Sequence, residues 1–350
     1  MMYINKILSI ILVIAGLLLP GSMQCQFASF TPFNNTPVHL NPAFNGIFNS
    51  KYRLSIQYKN QGRSFLKENA YQDYFADAEM RLNAFGHDQW SVGLSLANSV
   101  AGASKFQNSQ VMINTAYLKK LAGNNYLRTA HYLSAGLQIG AGQRRISQGN
   151  YLFGDQINPI TGKPEWESIE QIAHTRQYWD FNAGLAWYFV DAKRYSLTAG
   201  IAVWHLNSPL VSILPDGIEE LKPGWSLTLN GNFLIGDHFS LEPAVIWKYE
   251  SIFHNIYVGT QFNTGNFDGS DMTLSLGAWL RSGLYNKSFL PGSFIITASV
   301  KKSQVQIGLG INFSINEIQM ADEGFGALEF SAIFLIGELK TKHNLLCPDL

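Results

Sequence analysis

The sequence predicts an all-β fold: a transmembrane antiparallel β-barrel of about 14 strands, with an N-terminal arm that lies in the periplasm or plugs the barrel. Three observations carry this. The chain is dominated by alternation of apolar and polar residues, the signature of strands whose two faces meet different surroundings. Most alternating segments run 10 to 14 residues, where a sandwich strand has a mode of about 5–6 and a tilted membrane-crossing strand needs about 9–11. Their number is even, which returns both chain ends to one side of a membrane.

Composition fits. Of 350 residues, 46% are hydrophobic and only 14% charged, with 25 basic against 25 acidic side chains. A soluble domain carries about 25% charged residues. The missing basic surplus argues against a nucleic-acid binder, and the apolar content argues against disorder. Past the N-terminus no apolar run approaches the roughly 20 residues of a spanning helix.

Residues 1–25 read as a cleaved signal peptide: Lys6, then the apolar run Ile7–Leu19, then Pro20 and Gly21. The arm, 26–44, combines Pro32, Pro37 and Pro42 with Phe27, Phe30, Phe33 and Phe44. That composition is unsuited to a solvated tail, so the arm is expected to pack inside the barrel or on a periplasmic partner.

The barrel is read over 45–338, with strands near 51–60, 70–83, 89–99, 107–120, 128–144, 176–190, 194–206, 223–235, 238–250, 253–263, 271–283, 291–301, 304–315 and 326–337. In the thirteenth, Val305, Ile307, Leu309, Ile311 and Phe313 oppose Gln304, Gln306, Gly308, Gly310 and Asn312. In the second, Asp73, Asp77, Glu79 and Arg81 share one face, a wet lumen or a constriction inside the barrel. Links after even-numbered strands are short except 264–270, while the two longest, 145–175 and 207–222, follow odd-numbered ones, of which 250–252 is short. Outer-membrane barrels place short turns in the periplasm and longer loops outside. Trp90, Tyr178, Trp179, Trp187, Tyr188, Trp225, Trp247, Tyr249 and Trp279 lie toward strand ends and are expected to form interfacial girdles. Residues 339–350 form a periplasmic tail containing Cys347. With Cys25 at the cleavage region, no structural disulfide and no cysteine metal site are expected.

Chemical motifs are sparse. The chain has no GxxxxGK[ST], HExxH or GxSxG, and no catalytic residue, cofactor or metal is expected. His205, at the end of the seventh strand, is the one candidate base, and the ordinary reading is an interfacial histidine that caps the strand.

Several short motifs in order resemble one family. Leu40-Asn41-Pro42-Ala43-Phe44-Asn45-Gly46 resembles the NPAYAG stretch of the PorP/SprF family, and Tyr58-Lys59-Asn60-Gln61 resembles its first strand. Trp187–Asp191 through His205-Leu206-Asn207 resembles its central hairpin, and Cys347-Pro348-Asp349-Leu350 its C-terminus. The resemblance implies a non-enzymatic outer-membrane barrel of the type IX secretion and gliding machinery in the Gram-negative Bacteroidota. Implied partners are outer-membrane lipid and a secreted adhesin, or periplasmic ring and peptidoglycan-associated proteins. Contact candidates are Phe33, Asn41, Pro42, Phe44, Asp155, Trp166, Glu167 and Cys347. The alternative is an outer-membrane channel for a small solute, hydrophobic ones included.

Overall fold

The computed structural model describes residues 35–83, 88–124, 129–147, 156–165, 175–191, 194–214, 216–236, 238–250, 253–265, 272–285, 288–315 and 325–337. Its strands are β1 (Tyr52–Gln61), β2 (Tyr71–Asn83), β3 (Gln89–Ala101), β4 (Phe106–Asn124), β5 (Thr129–Arg145), β6 (Thr175–Asp191), β7 (Tyr195–Trp204), β8 (Gly224–Ile235), β9 (Phe239–Glu250), β10 (Phe253–Thr264), β11 (Met272–Tyr285), β12 (Ser288–Lys302), β13 (Val305–Ser314) and β14 (Phe325–Ile336). Each pairs antiparallel with its neighbours in sequence. β1 pairs with β14, from Tyr52 opposite Ile336 to Gln61 opposite Ala327, and closes the barrel. Closure leaves no sheet edge, the condition for strands in hydrocarbon.

The two faces are inverted relative to a soluble protein. Along β1, Arg53, Ser55, Gln57 and Lys59 are buried, while Leu54 and Ile56 are exposed. Along β13 the apolar residues Val305, Ile307 and Leu309 again face outward. Apolar side chains on the outside and polar ones inside are what a membrane barrel requires.

Parity also corrects the expected girdle. Trp90, Trp179, Trp225 and Trp247 stand on the outer face, but Tyr178, Tyr188 and Trp279 are buried in the lumen. The pleat, not proximity to a strand end, decides which face a side chain takes.

Two boundaries also shift. β12 starts at Ser288, where it completes a hairpin with Tyr285. β7 stops at Trp204, not 206, because His205 takes a left-handed backbone conformation with φ 57°. We call the end with the short links the turn end and the other the loop end.

Candidate functional site

The lumen is filled by the chain's own N-terminal segment. From Asn35 to Phe48 every residue is buried except His39, which is half-buried. The segment holds a helical turn, Pro37–Leu40, and a 3-10 turn, Pro42–Phe44. A proline opens each, where its missing N–H costs no helical bond. Asn41 joins them: its backbone N–H donates to the Pro37 carbonyl, and its side-chain oxygen accepts from the Ala43 N–H at 2.8 Å.

The same Asn41 fastens the plug to the wall. Its Nδ2 donates to the carbonyls of Leu185 (3.1 Å) and Ile201 (3.2 Å), which face each other across β6 and β7. This approach needs bare backbone at Gly184, where a Cβ would collide with the Asn41 amide, and at Gly136, where it would collide with the Pro42 carbonyl. Wall serines complete the seat. Ser226 donates to the Leu40 carbonyl, Ser134 to that of Ala43 and Ser91 to that of Asn45, each at 2.7 Å. Between these bonds Leu40, Ala43, Phe44 and Ile47 join Tyr132, Tyr188, Trp279 and Ile295 in an apolar core inside the barrel.

The charged face of β2 grips the stem of the plug. Glu79 accepts from the Gly46 N–H at 2.6 Å and lies 3.8 Å from Arg53. Arg53 donates to the Asn35 carbonyl at 3.0 Å, and Arg81 donates to the Phe48 carbonyl. Ser55 donates to Asp77. Nearby, Lys59 and Glu329 pair at 3.3 Å, both nearly fully buried. Burying this many charges is tolerable only because they meet one another and the plug's backbone.

Toward the loop end, above His39, the wall lines a small cavity of about 40 Å³. Amides run across one side as a chain. The Gln138 amide donates to Asn114 (2.6 Å), the Asn182 amide to Gln138 (2.8 Å) and the His205 N–H to Asn182 (2.8 Å). His205 Nδ1 lies 2.9 Å from both carboxylate oxygens of Asp180. This pair pins the chain after β7 to the wall.

Of the contact candidates, Asn41, Pro42 and Phe44 sit in the plug, and the contacts they make are with the barrel. Phe33, Asp155, Trp166, Glu167 and Cys347 lie outside the described residues. The described part of the first long loop is a small hairpin with Ile157 bridged to Pro164. Its Thr161 hydroxyl and Asn158 amide donate to Glu165, both at 2.6 Å, and hold that carboxyl below its ordinary range. The second long loop is tied back by Arg144 to Glu219 at 2.9 Å.

Sequence reasoning missed Ser91, Ser134 and Ser226 as the plug's seat and Asp180 as the partner of His205. Their one signal is inward parity.

A family model described as type IX secretion system membrane protein PorP/SprF matches residues 22–334. No curated relative matches the chain. Among solved structures, the chain is similar to a Pseudomonas aeruginosa FadL homologue, with 10% identity, TM-score 0.48, and coverage of 88% of this chain and 95% of that one. It is also similar to the Ralstonia pickettii toluene transporter TbuX (9%, TM-score 0.45, 85% and 91% covered). A third is CdiB from Acinetobacter baumannii (9%, TM-score 0.45, 81% covered), of which the match spans 60%.

Proposed function

The chain belongs to the PorP/SprF family of type IX secretion system membrane proteins, and from that premise we propose that this outer-membrane barrel works as a non-enzymatic docking partner. It engages a secreted adhesin for export or surface anchoring, or links the outer membrane to the periplasmic secretion ring. The observation that carries the reading is the plug. A lumen packed from Asn35 to Phe48, and bonded to the wall along that length, offers no route for a protein. The barrel's outer ends are then its working surfaces. At the loop end Ile160 and Ile218 are 92% and 88% exposed, apolar anchors of the kind that interfaces bury.

The test is a gentle detergent pull-down of the tagged native protein from outer membranes, read by mass spectrometry. Recovery of a large secreted adhesin or of periplasmic ring proteins supports the reading and tells its two branches apart. Recovery of the barrel alone, with reproducible single-channel conductance, replaces it with the channel reading.

A further inference from the structure

The outer wall carries a groove of about 500 Å³ that runs across β3 to β7. One row of paired residues traces it. Trp90 faces Tyr117, Tyr117 faces Ala135, Ala135 faces Leu185, and Leu185 faces Ile201. Its ends are four strand spacings apart, about 19 Å. Small outward residues leave the surface unfilled: Ala135, and in the next row Thr115 and Ala183. Trp90, Leu137 and Leu185 rise around them, all well exposed.

This face lies in hydrocarbon. The groove therefore meets lipid tails, and its polar atoms are already paired. Trp90 Nε1 donates to the Thr115 hydroxyl at 2.8 Å, and that hydroxyl donates to the Ser91 carbonyl at 3.1 Å. An apolar chain leaves no polar group stranded there. Lying in a groove, it is also touched on several sides, and each added contact contributes dispersion.

The groove has a direction. Strands of a membrane barrel tilt by about 35–45°, so a row perpendicular to them climbs through the bilayer. Trp90 is the second residue of β3 and Ile201 the seventh of β7, both counted from the turn end. The low end of the groove is thus at the turn-end boundary, which faces the periplasm, and the rest rises into the wall.

A charged pair stands at that low end. Asp88, directly before β3, accepts from the Tyr117 hydroxyl at 2.8 Å and from the Lys120 N–H at 3.0 Å. Lys119 Nζ lies 3.5 Å from the same carboxylate, and its side chain is still 61% exposed. A carboxylate has about four acceptor sites, so Asp88 has room for one more donor. A cation and an anion side by side complement a headgroup that carries both charges. A purely anionic headgroup would meet Asp88 as well as Lys119.

We propose that the groove is a lipid site for one phosphatidylethanolamine of the periplasmic leaflet, with an acyl chain along Ala135 and Ala183, the phosphate on Lys119 and the primary ammonium on Asp88. The site is separate from the protein-docking surfaces and stands whether or not a secreted partner is found.

The full barrel is reconstituted in nanodiscs of equal parts phosphatidylethanolamine and phosphatidylcholine with matched chains, and native mass spectrometry of the released protein counts the lipids it keeps. One phosphatidylethanolamine is retained per barrel, favoured about tenfold over phosphatidylcholine, whose methylated ammonium has no N–H to give Asp88. Asp88→Asn removes that preference. Lys119→Gln lowers retention of both lipids about tenfold. Ala135→Leu with Ala183→Leu fills the groove and ends retention, whereas Ala278→Leu, the same change at an exposed position of β11, leaves it intact and controls for folding. Retention unchanged in the filled variant overturns the groove. No headgroup preference, or one that survives Asp88→Asn, overturns the assignment of the lipid. A stable pair of barrels without a retained lipid overturns the proposal in favour of a second copy on this face.

Discussion

Replacing Asn41 with alanine removes three hydrogen bonds at the centre of the barrel. Two are the Nδ2 bonds to Leu185 and Ile201, at 3.1 and 3.2 Å, and the third caps the Ala43 N–H at 2.8 Å. Each buried bond contributes about 1 kcal/mol net, and a lost N-cap costs about 1 kcal/mol. The change therefore weakens the seated plug by about 3 kcal/mol, roughly a 100-fold larger opening constant at 1.4 kcal/mol per tenfold. Hydrogen exchange read by mass spectrometry measures this directly, because local opening sets the protection of a segment. Peptides covering 35–48 are expected to exchange about 100-fold faster, with strand peptides unchanged. Asn41→Asp sharpens the test. It keeps the acceptor for Ala43 but turns a carboxylate toward two carbonyls, so it is expected to open the plug at least as much as alanine does. Protection over 35–48 within threefold of the original protein, or an aspartate variant that behaves like asparagine, would refute the role given to the amide.

Gly184→Val drives a side chain into the Asn41 amide and the Pro42 ring; circular dichroism should still report a barrel, while limited proteolysis cuts the 35–48 segment, and a protected segment would contradict the close-packing argument. Lys59→Met removes the amine 3.3 Å from the buried Glu329 carboxylate, at a cost of about 3–5 kcal/mol. Adding Glu329→Leu is expected to recover most of that in denaturant unfolding, and a double variant as weak as the single would count against a coupled pair. Glu165 is held below its ordinary range by the Thr161 hydroxyl and the Asn158 amide. Its folded value is the depressed one, so its contribution to the loop hairpin is full above the unfolded carboxylate range and lost as pH falls through the lowered value. Carbon-13 titration of labelled glutamates should find it the late one to protonate, and Thr161→Val should raise it.

The barrel was legible because a membrane wall enforces alternation residue by residue, with lipid on one side and a wet or packed lumen on the other. The thirteenth segment shows this: its alternating residues Val305 to Phe313 all fall in β13. Alternation also misled at 205–206, because Trp204 and Leu206 keep the period while His205 has already left the strand. The composition of the arm showed that it must pack. How it packs was out of reach, since Asn41 bonds to backbone carbonyls on β6 and β7, and any strand offers those. His205 stood out as a lone base, yet Asp180, 25 residues earlier, could not be linked to it. Contacts across a lumen depend on strand order and curvature, which a period-two pattern does not encode.

The seat of the plug has a consequence for the order in which the protein is built. The Asn35 side chain donates to Ser331, 296 residues further along, and the Leu40 carbonyl accepts from Ser226, 186 residues further along. The earliest described residues are thus completed by β8 in mid-chain and by β14 at its far end, contacts of a separation that slows folding. Ser331 also faces Gln57 across the β1–β14 seam, so one residue serves both the seat of the plug and the pairing that closes the cylinder. The plug's seat and the closing seam therefore both wait for β14, the last strand of the barrel to be made.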